Sequence, residues 1–229
     1  MPHVERTTRA SRAALATFSL ATAIACCGGF ARAESETGSV DTPVADPEHS
    51  SEVALGVGNH LGLGRIDGST VRLQDLSGSG PTVELDAGYR VTSAVVLAIY
   101  ATGSKLSGQD PSGDADVLTT SAGLQVNWHA RPAMRLDPWL GFGMGWRGIW
   151  LRRDAGRDTS QGVDLARVQA GLDFRFSSAF ALAPVIGADW SLELWNDSPP
   201  LATRTSSSSA RVNALIFAGI LGRFRILEP

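Results

Sequence analysis

The stretch Leu136-Asp137-Pro138-Trp139-Leu140-Gly141-Phe142-Gly143-Met144-Gly145-Trp146-Arg147-Gly148-Ile149-Trp150 decides how the rest of the chain is read. From Leu140 to Trp146 every second residue is large and apolar, and the positions between are Gly141, Gly143 and Gly145, with Arg147 next. A period of two belongs to a β-strand, whose successive side chains point to opposite faces. This strand has one bulky apolar face and one small or polar face. The solvent that meets each face has to come from the rest of the chain.

The pattern recurs along the chain. Between Val53 and Arg65, Leu55, Val57, Leu61 and Leu63 alternate with Gly56, Gly58, His60, Gly62 and Gly64. Between Thr82 and Val91, Val83, Leu85, Ala87 and Tyr89 alternate with Glu84, Asp86, Gly88 and Arg90. Ala94 to Ala101 is apolar on both faces, which leaves its orientation open. Asp116 to His129 separates Leu118, Leu124, Val126 and Trp128 from Ser121, Gly123, Gln125 and Asn127. After the opening stretch, Asp164 to Ser177 sets Val168, Leu172, Phe174 and Phe176 against Arg167, Gln169, Asp173 and Arg175. Phe180 to Leu194 and Ala210 to Ile226 complete eight runs, with Asp189, Glu193, Arg211, Arg223 and Arg225 on their polar faces. Pro184, which lacks a ladder donor, belongs near a rim or at a bulge.

The connections alternate in length. Ile66 to Pro81, Thr102 to Ala115, Arg152 to Val163 and Trp195 to Ser209 read as long polar loops, whereas Thr92-Ser93, Ala130 to Met134 and Ser178-Ala179 are short. An up-and-down barrel with one elaborated and one trimmed rim produces this parity. Outside the third run the bulky face reads as free of Asp, Glu, Lys and Arg, and the charges gather on the Gly-rich face. A barrel of about eight strands has an interior just wide enough for side chains to fill. Four residues as large as Leu140, Phe142, Met144 and Trp146 from each strand would overfill it, so the Gly-rich face is expected in the lumen and those four against lipid. Trp128, Trp139, Trp146, Trp150, Trp190 and Trp195, with Tyr89, Phe176, Phe180 and Phe224, sit at strand ends as two interfacial girdles would.

At the N-terminus, Arg6, Arg9 and Arg12 precede an Ala-rich apolar run, and Ala31-Arg32-Ala33 offers a small-x-small cleavage site. Residues 1–33 read as a secretory signal peptide, 34–51 as a flexible acidic linker and 52–229 as the barrel. Lipidation at Cys26 is the alternative for the leader. Cys26 and Cys27 are the only two cysteines, so a cleaved chain has no thiol chemistry. A net charge of −3 over 229 residues supplies no basic field for nucleic acid.

Motifs for chemistry are sparse. Gly56-x-Gly58 and Gly141-x-Gly143-x-Gly145 do not open a helix in a βαβ unit, so a dinucleotide site is not expected. His60 and His129 are the candidate bases, and neither has a serine at a telling spacing in the sequence. No catalytic residue, metal ligand or cofactor is expected. The lumen charges Glu84, Asp86, Arg90, Arg147, Arg167, Asp173, Arg175, Asp189, Glu193 and Arg211 are expected to pair, because an unpaired buried charge costs several kcal/mol.

Leader, linker, eight dyad-repeat strands and alternating connections together resemble the small Gram-negative outer-membrane β-barrels of the OmpA/OmpX type, across Ser51 to Pro229. The resemblance implies an all-β fold, an up-and-down antiparallel eight-stranded transmembrane β-barrel in the cell outer membrane. It also implies outer-membrane lipid and the barrel insertion machinery as partners, with a surface ligand for the long loops. The expected role is non-enzymatic, structural or surface-interacting. A narrow porin-like pore and a soluble lipocalin-like binding barrel are the alternatives.

Overall fold

The computed structural model describes residues 49–63, 79–110, 113–153, 156–197 and 205–226. They form eight strands: β1 (Ser51–Leu63), β2 (Ser79–Thr92), β3 (Val95–Asp110), β4 (Gly113–His129), β5 (Leu136–Arg153), β6 (Gly156–Arg175), β7 (Phe180–Asp197) and β8 (Thr205–Ile226). Each pairs antiparallel with its sequence neighbours, and β1 pairs with β8 to close the barrel. Closure leaves no unpaired edge, the condition under which a sheet can cross hydrocarbon. The expected leader and nearly all of the linker lie outside the described residues. Ser51, expected at the linker's end, already pairs with Tyr89 and Ile226.

Alternation sets the two faces. Leu140, Phe142, Met144 and Trp146 are exposed on the outer wall, as are Leu55, Leu85, Leu124, Ile186 and Ile220. The third run is now oriented: Leu97 and Ile99 point out, and Tyr100, Thr102 and Ser104 point in.

Four sequence expectations are corrected. First, strands take up much of the expected long loops: β3 and β4 pair out to Asp110↔Gly113, and β5 and β6 out to Arg153↔Gly156. Polar residues there continue the ladder because both faces of an extended hairpin can be polar beyond the apolar band. Second, Trp139 is 2% exposed and lies in the lumen, away from any girdle. It shares the parity of Gly141, and a Cβ on Gly171 would come within 2.5 Å of its indole ring, so that glycine makes its room. Third, β6 carries a bulge. Gly143 pairs with Arg167 and Gly145 with Asp164, so β6 advances three residues while β5 advances two. Asp164 and Arg167 therefore both point inward, and Leu165 points out. Fourth, the outward face is not free of charge: Asp116 shares the parity of Leu118 and is exposed.

Glycines serve close approach at two seams. Gly58 pairs with Gly219 and Gly123 with Gly145, and a Cβ on any of the four would come within 2.4 Å of a backbone carbonyl oxygen across the ladder. The β1/β8 and β4/β5 seams lie on opposite sides of the ring, so both walls bend tightly there. Pro184 is exposed on the outer wall near the start of β7, where the β6–β7 ladder skips from Gly171↔Val185 to Phe174↔Leu182.

Candidate functional site

The inward faces build three layers. Nearest the long-hairpin rim, Leu106, Val117, Ile149, Leu151 and Leu215 form an apolar cluster, all at most 3% exposed. Ile149 and Leu151 continue the parity of Arg147, so the polar face of β5 turns apolar towards this rim.

The middle layer is an ionic web. Arg147 Nε donates to Asp164 Oδ1 at 2.5 Å, and its Nη2 donates to Asp164 Oδ2 at 3.0 Å and to Asp189 Oδ2 at 2.7 Å. Arg167 Nη1 reaches the same Asp189 oxygen at 3.3 Å, and its Nη2 lies 2.7 Å from Glu84 Oε1. Gln169 Nε2 donates to Glu84 Oε1 at 2.9 Å, joining the web from β6 to β2. The Arg167 guanidinium also lies over the Tyr100 ring at 4.5 Å and the Phe217 ring at 5.1 Å. The web spans β2, β5, β6 and β7, across the lumen rather than along one wall. Gly143 and Gly145 make this layer possible, since a Cβ on them would meet the Tyr100 ring at 3.4 Å and its hydroxyl at 2.7 Å.

The third layer lies towards the short-turn rim. Glu52 joins Arg90 at 3.2 Å to Arg223 at 2.6 Å, bridging β2 and β8 through β1. Arg223 Nε stands 3.4 Å from Asp173, and its guanidinium lies over Trp139 at 5.0 Å. Asp137 accepts from Arg175 Nη2 at 2.8 Å, pairs with His129 Nδ1 at 2.8 Å and accepts from the Arg131 amide at 2.9 Å. Arg175 also donates to the carbonyl of Pro132, tying the β4–β5 turn to the wall.

The expected lumen residues are thus brought inside, with qualifications. Glu84, Arg90, Arg147, Arg167, Asp173, Arg175 and Asp189 make ion pairs. Asp86 is buried but accepts from Gln125 Nε2 at 3.1 Å, and Glu193 is met by the side-chain amide of Asn213. The backbone of Arg211 pairs with Glu193, while its side chain lies outside those described. Sequence reasoning missed Glu52, Asp137 and Asp164, and placed Arg223 on the polar face without naming it among the pairing charges. Parity marks Asp137 and Glu52, whereas the β6 bulge hides Asp164.

Both histidines of the barrel are hydrogen-bonded inside the lumen. His60 is hydrogen-bonded through Nδ1 to Ser104 Oγ, a contact unreadable from residues so far apart in the chain. Ser104 donates its proton to Thr82 Oγ1 at 2.8 Å, and Thr82 donates to the Gly103 carbonyl at 3.3 Å. His60, Ser104 and Thr82 thus form one buried hydrogen-bonded chain that ends on the backbone of β3. His129, Asp137 and Asp173 offer metal-ligand atoms within 4.8 Å of one another. Arg175 and Arg223 already face the two carboxylates, so an added dication would meet a cluster whose charge is balanced.

Comparison with known proteins agrees with the architecture. The family described as outer membrane protein beta-barrel domain matches residues 20–193. Neisserial surface protein A is 14% identical, with a TM-score of 0.53, covering 77% of this chain and 97% of its own. OprG from Pseudomonas aeruginosa is 11% identical, with a TM-score of 0.50, covering 77% of this chain and 96% of its own. At such identities the likeness shows the fold alone. No curated protein matches the chain. With more than half of its length matched, the chain belongs to the outer-membrane β-barrel domain family and resides in the outer membrane.

Proposed function

We propose that this barrel is a closed, non-enzymatic scaffold of the outer membrane, whose lumen is plugged by its own ion pairs and whose long hairpins are its contact surface. The carrying observation is the web of Arg147, Asp164, Asp189, Arg167 and Glu84, with side chains at most 9% exposed, lying beneath an apolar layer. Hydrated ions would have to pass first the apolar cluster and then five mutually bonded charged side chains. Residues 1–33 act as the export signal, and the acidic segment from residue 34 up to the start of β1 at Ser51 as a linker. Leu140, Phe142, Met144 and Trp146 face lipid, which accounts for large apolar side chains left exposed on a closed wall.

Planar-bilayer recording of the full chain tests the plug. The expected result is a flat baseline without unitary steps. Steady, reproducible conductance steps would instead support the narrow-pore reading.

A further inference from the structure

Among the described side chains of the strands, Lys105, Asp116 and Arg152 are the charged residues on the outward face. They are not scattered. All three sit on the adjacent strands β3, β4 and β5: Asp116 pairs with Arg152 across β4/β5, and Lys105, whose backbone pairs with Leu118, extends its Nζ to 3.2 Å from Asp116. Just below Asp116 and Arg152, Leu118 pairs with Trp150, whose ring meets Trp146 edge-on at 6.3 Å. The outer wall therefore changes at this height from apolar side chains, through tryptophan, to two cations flanking one carboxylate.

We propose that this patch holds a phosphate headgroup of a lipid in the leaflet at the long-hairpin rim, the phosphates of lipid A. Tryptophan at the interface sets the depth of the acyl boundary, and Lys and Arg just above it lie at headgroup height. The Arg152 guanidinium offers paired donors matched to phosphate oxygens, and the Lys105 ammonium a mobile charge beside it. Asp116 holds Lys105 until the anion arrives and weakens the site by its own charge. Among the described outward side chains of the strands, these three are the charged ones, and they stand on adjacent strands. The assignment of leaflet rests on the reading that the long hairpins face the cell exterior.

The test incubates the full chain in detergent micelles with bisphosphorylated lipid A and measures retained lipid by native mass spectrometry. Retention is expected to fall roughly five-fold or more in K105A/R152A, to rise in D116N, and to be lost with dephosphorylated lipid A. Heat-modifiable migration identifies the folded fraction of each variant, so misfolding is not mistaken for lost binding. Equal retention by the double variant, or equal retention of dephosphorylated lipid A, overturns the proposal. Displacement by inorganic phosphate at equal concentration overturns the lipid as the source of the anion. Labelling of Ser69→Cys by an impermeant thiol reagent on intact cells, above the parent chain, is expected. Its absence, with retention still dependent on Lys105 and Arg152, overturns the orientation while leaving the phosphate chemistry in place.

Discussion

Replacing Arg147 by Met removes the centre of the lumen web while keeping an unbranched side chain of similar reach. Asp164 loses both of its bonds to the guanidinium, at 2.5 and 3.0 Å, and among the described residues keeps the Tyr100 hydroxyl at 3.4 Å. Asp189 loses a 2.7 Å bond and retains Arg167 at 3.3 Å. Both carboxylate side chains are 0% exposed, so neither recovers water. Breaking a buried pair by removing one partner costs about 3–5 kcal/mol, most of it the burden of the uncompensated charge. The exposed Lys105–Asp116 pair provides the internal scale, because an exposed ion pair is worth roughly 0–1 kcal/mol. Urea unfolding in lipid vesicles, followed by heat-modifiable migration, should place Arg147→Met about 3–5 kcal/mol below the parent chain and Lys105→Ala within about 1 kcal/mol of it. Adding Asp164→Asn to Arg147→Met should restore part of the loss, since it removes the stranded charge. The reasoning is refuted if Arg147→Met costs no more than Lys105→Ala, or if the second substitution only adds to the damage.

Phe142 lies midway along the apolar outer face of β5, so Phe142→Arg should cost roughly 2–4 kcal/mol, the range for a cation at the bilayer midplane. Gly143→Ala places a Cβ 2.9 Å from the Leu124 carbonyl oxygen and should cost less, about 1–2 kcal/mol. Comparing the folded, membrane-inserted yields of the two variants checks their order. Gly171→Ala brings a Cβ to 2.5 Å from the rigid indole of Trp139, so it should destabilise the barrel by about 1–3 kcal/mol, and an unchanged unfolding midpoint would contradict the lumenal placement of that tryptophan.

The two faces of the wall were legible because side-chain direction in a strand depends on parity alone. Leu140, Phe142, Met144 and Trp146 needed nothing beyond that. Parity also marks Trp139 and Asp137 as lumenal. Reading Trp139 as a girdle residue let its proximity to a turn override its phase. Asp164 was illegible for a different reason: an extra residue in β6 reverses phase, and nothing in Asp164-Leu165-Ala166-Arg167 announces it. Partners across the lumen were hidden more deeply. His60 meets Ser104, and Arg147 meets Asp189, only once strand tilt and register are set, and those belong to the closed sheet as a whole. The third run stayed ambiguous because Ala98 is as small as a lumenal glycine and as apolar as a lipid-facing residue.

The claim on which the rest depends is that the bulky face of β5 meets lipid and the glycine face meets a packed lumen. Single cysteines placed at successive positions from Leu140 to Arg147, with Cys26 and Cys27 replaced, can carry a nitroxide in barrels reconstituted into vesicles. The measurement is the relative access of a lipid-soluble and a water-soluble relaxation agent to each label. Labels at 140, 142, 144 and 146 should be open to the lipid-soluble agent, whereas labels at 141, 143, 145 and 147, which have no room in the packed lumen, should sharply lower the folded yield. Access of the water-soluble agent to the first set, or a folded yield with no period of two along the strand, would contradict the account.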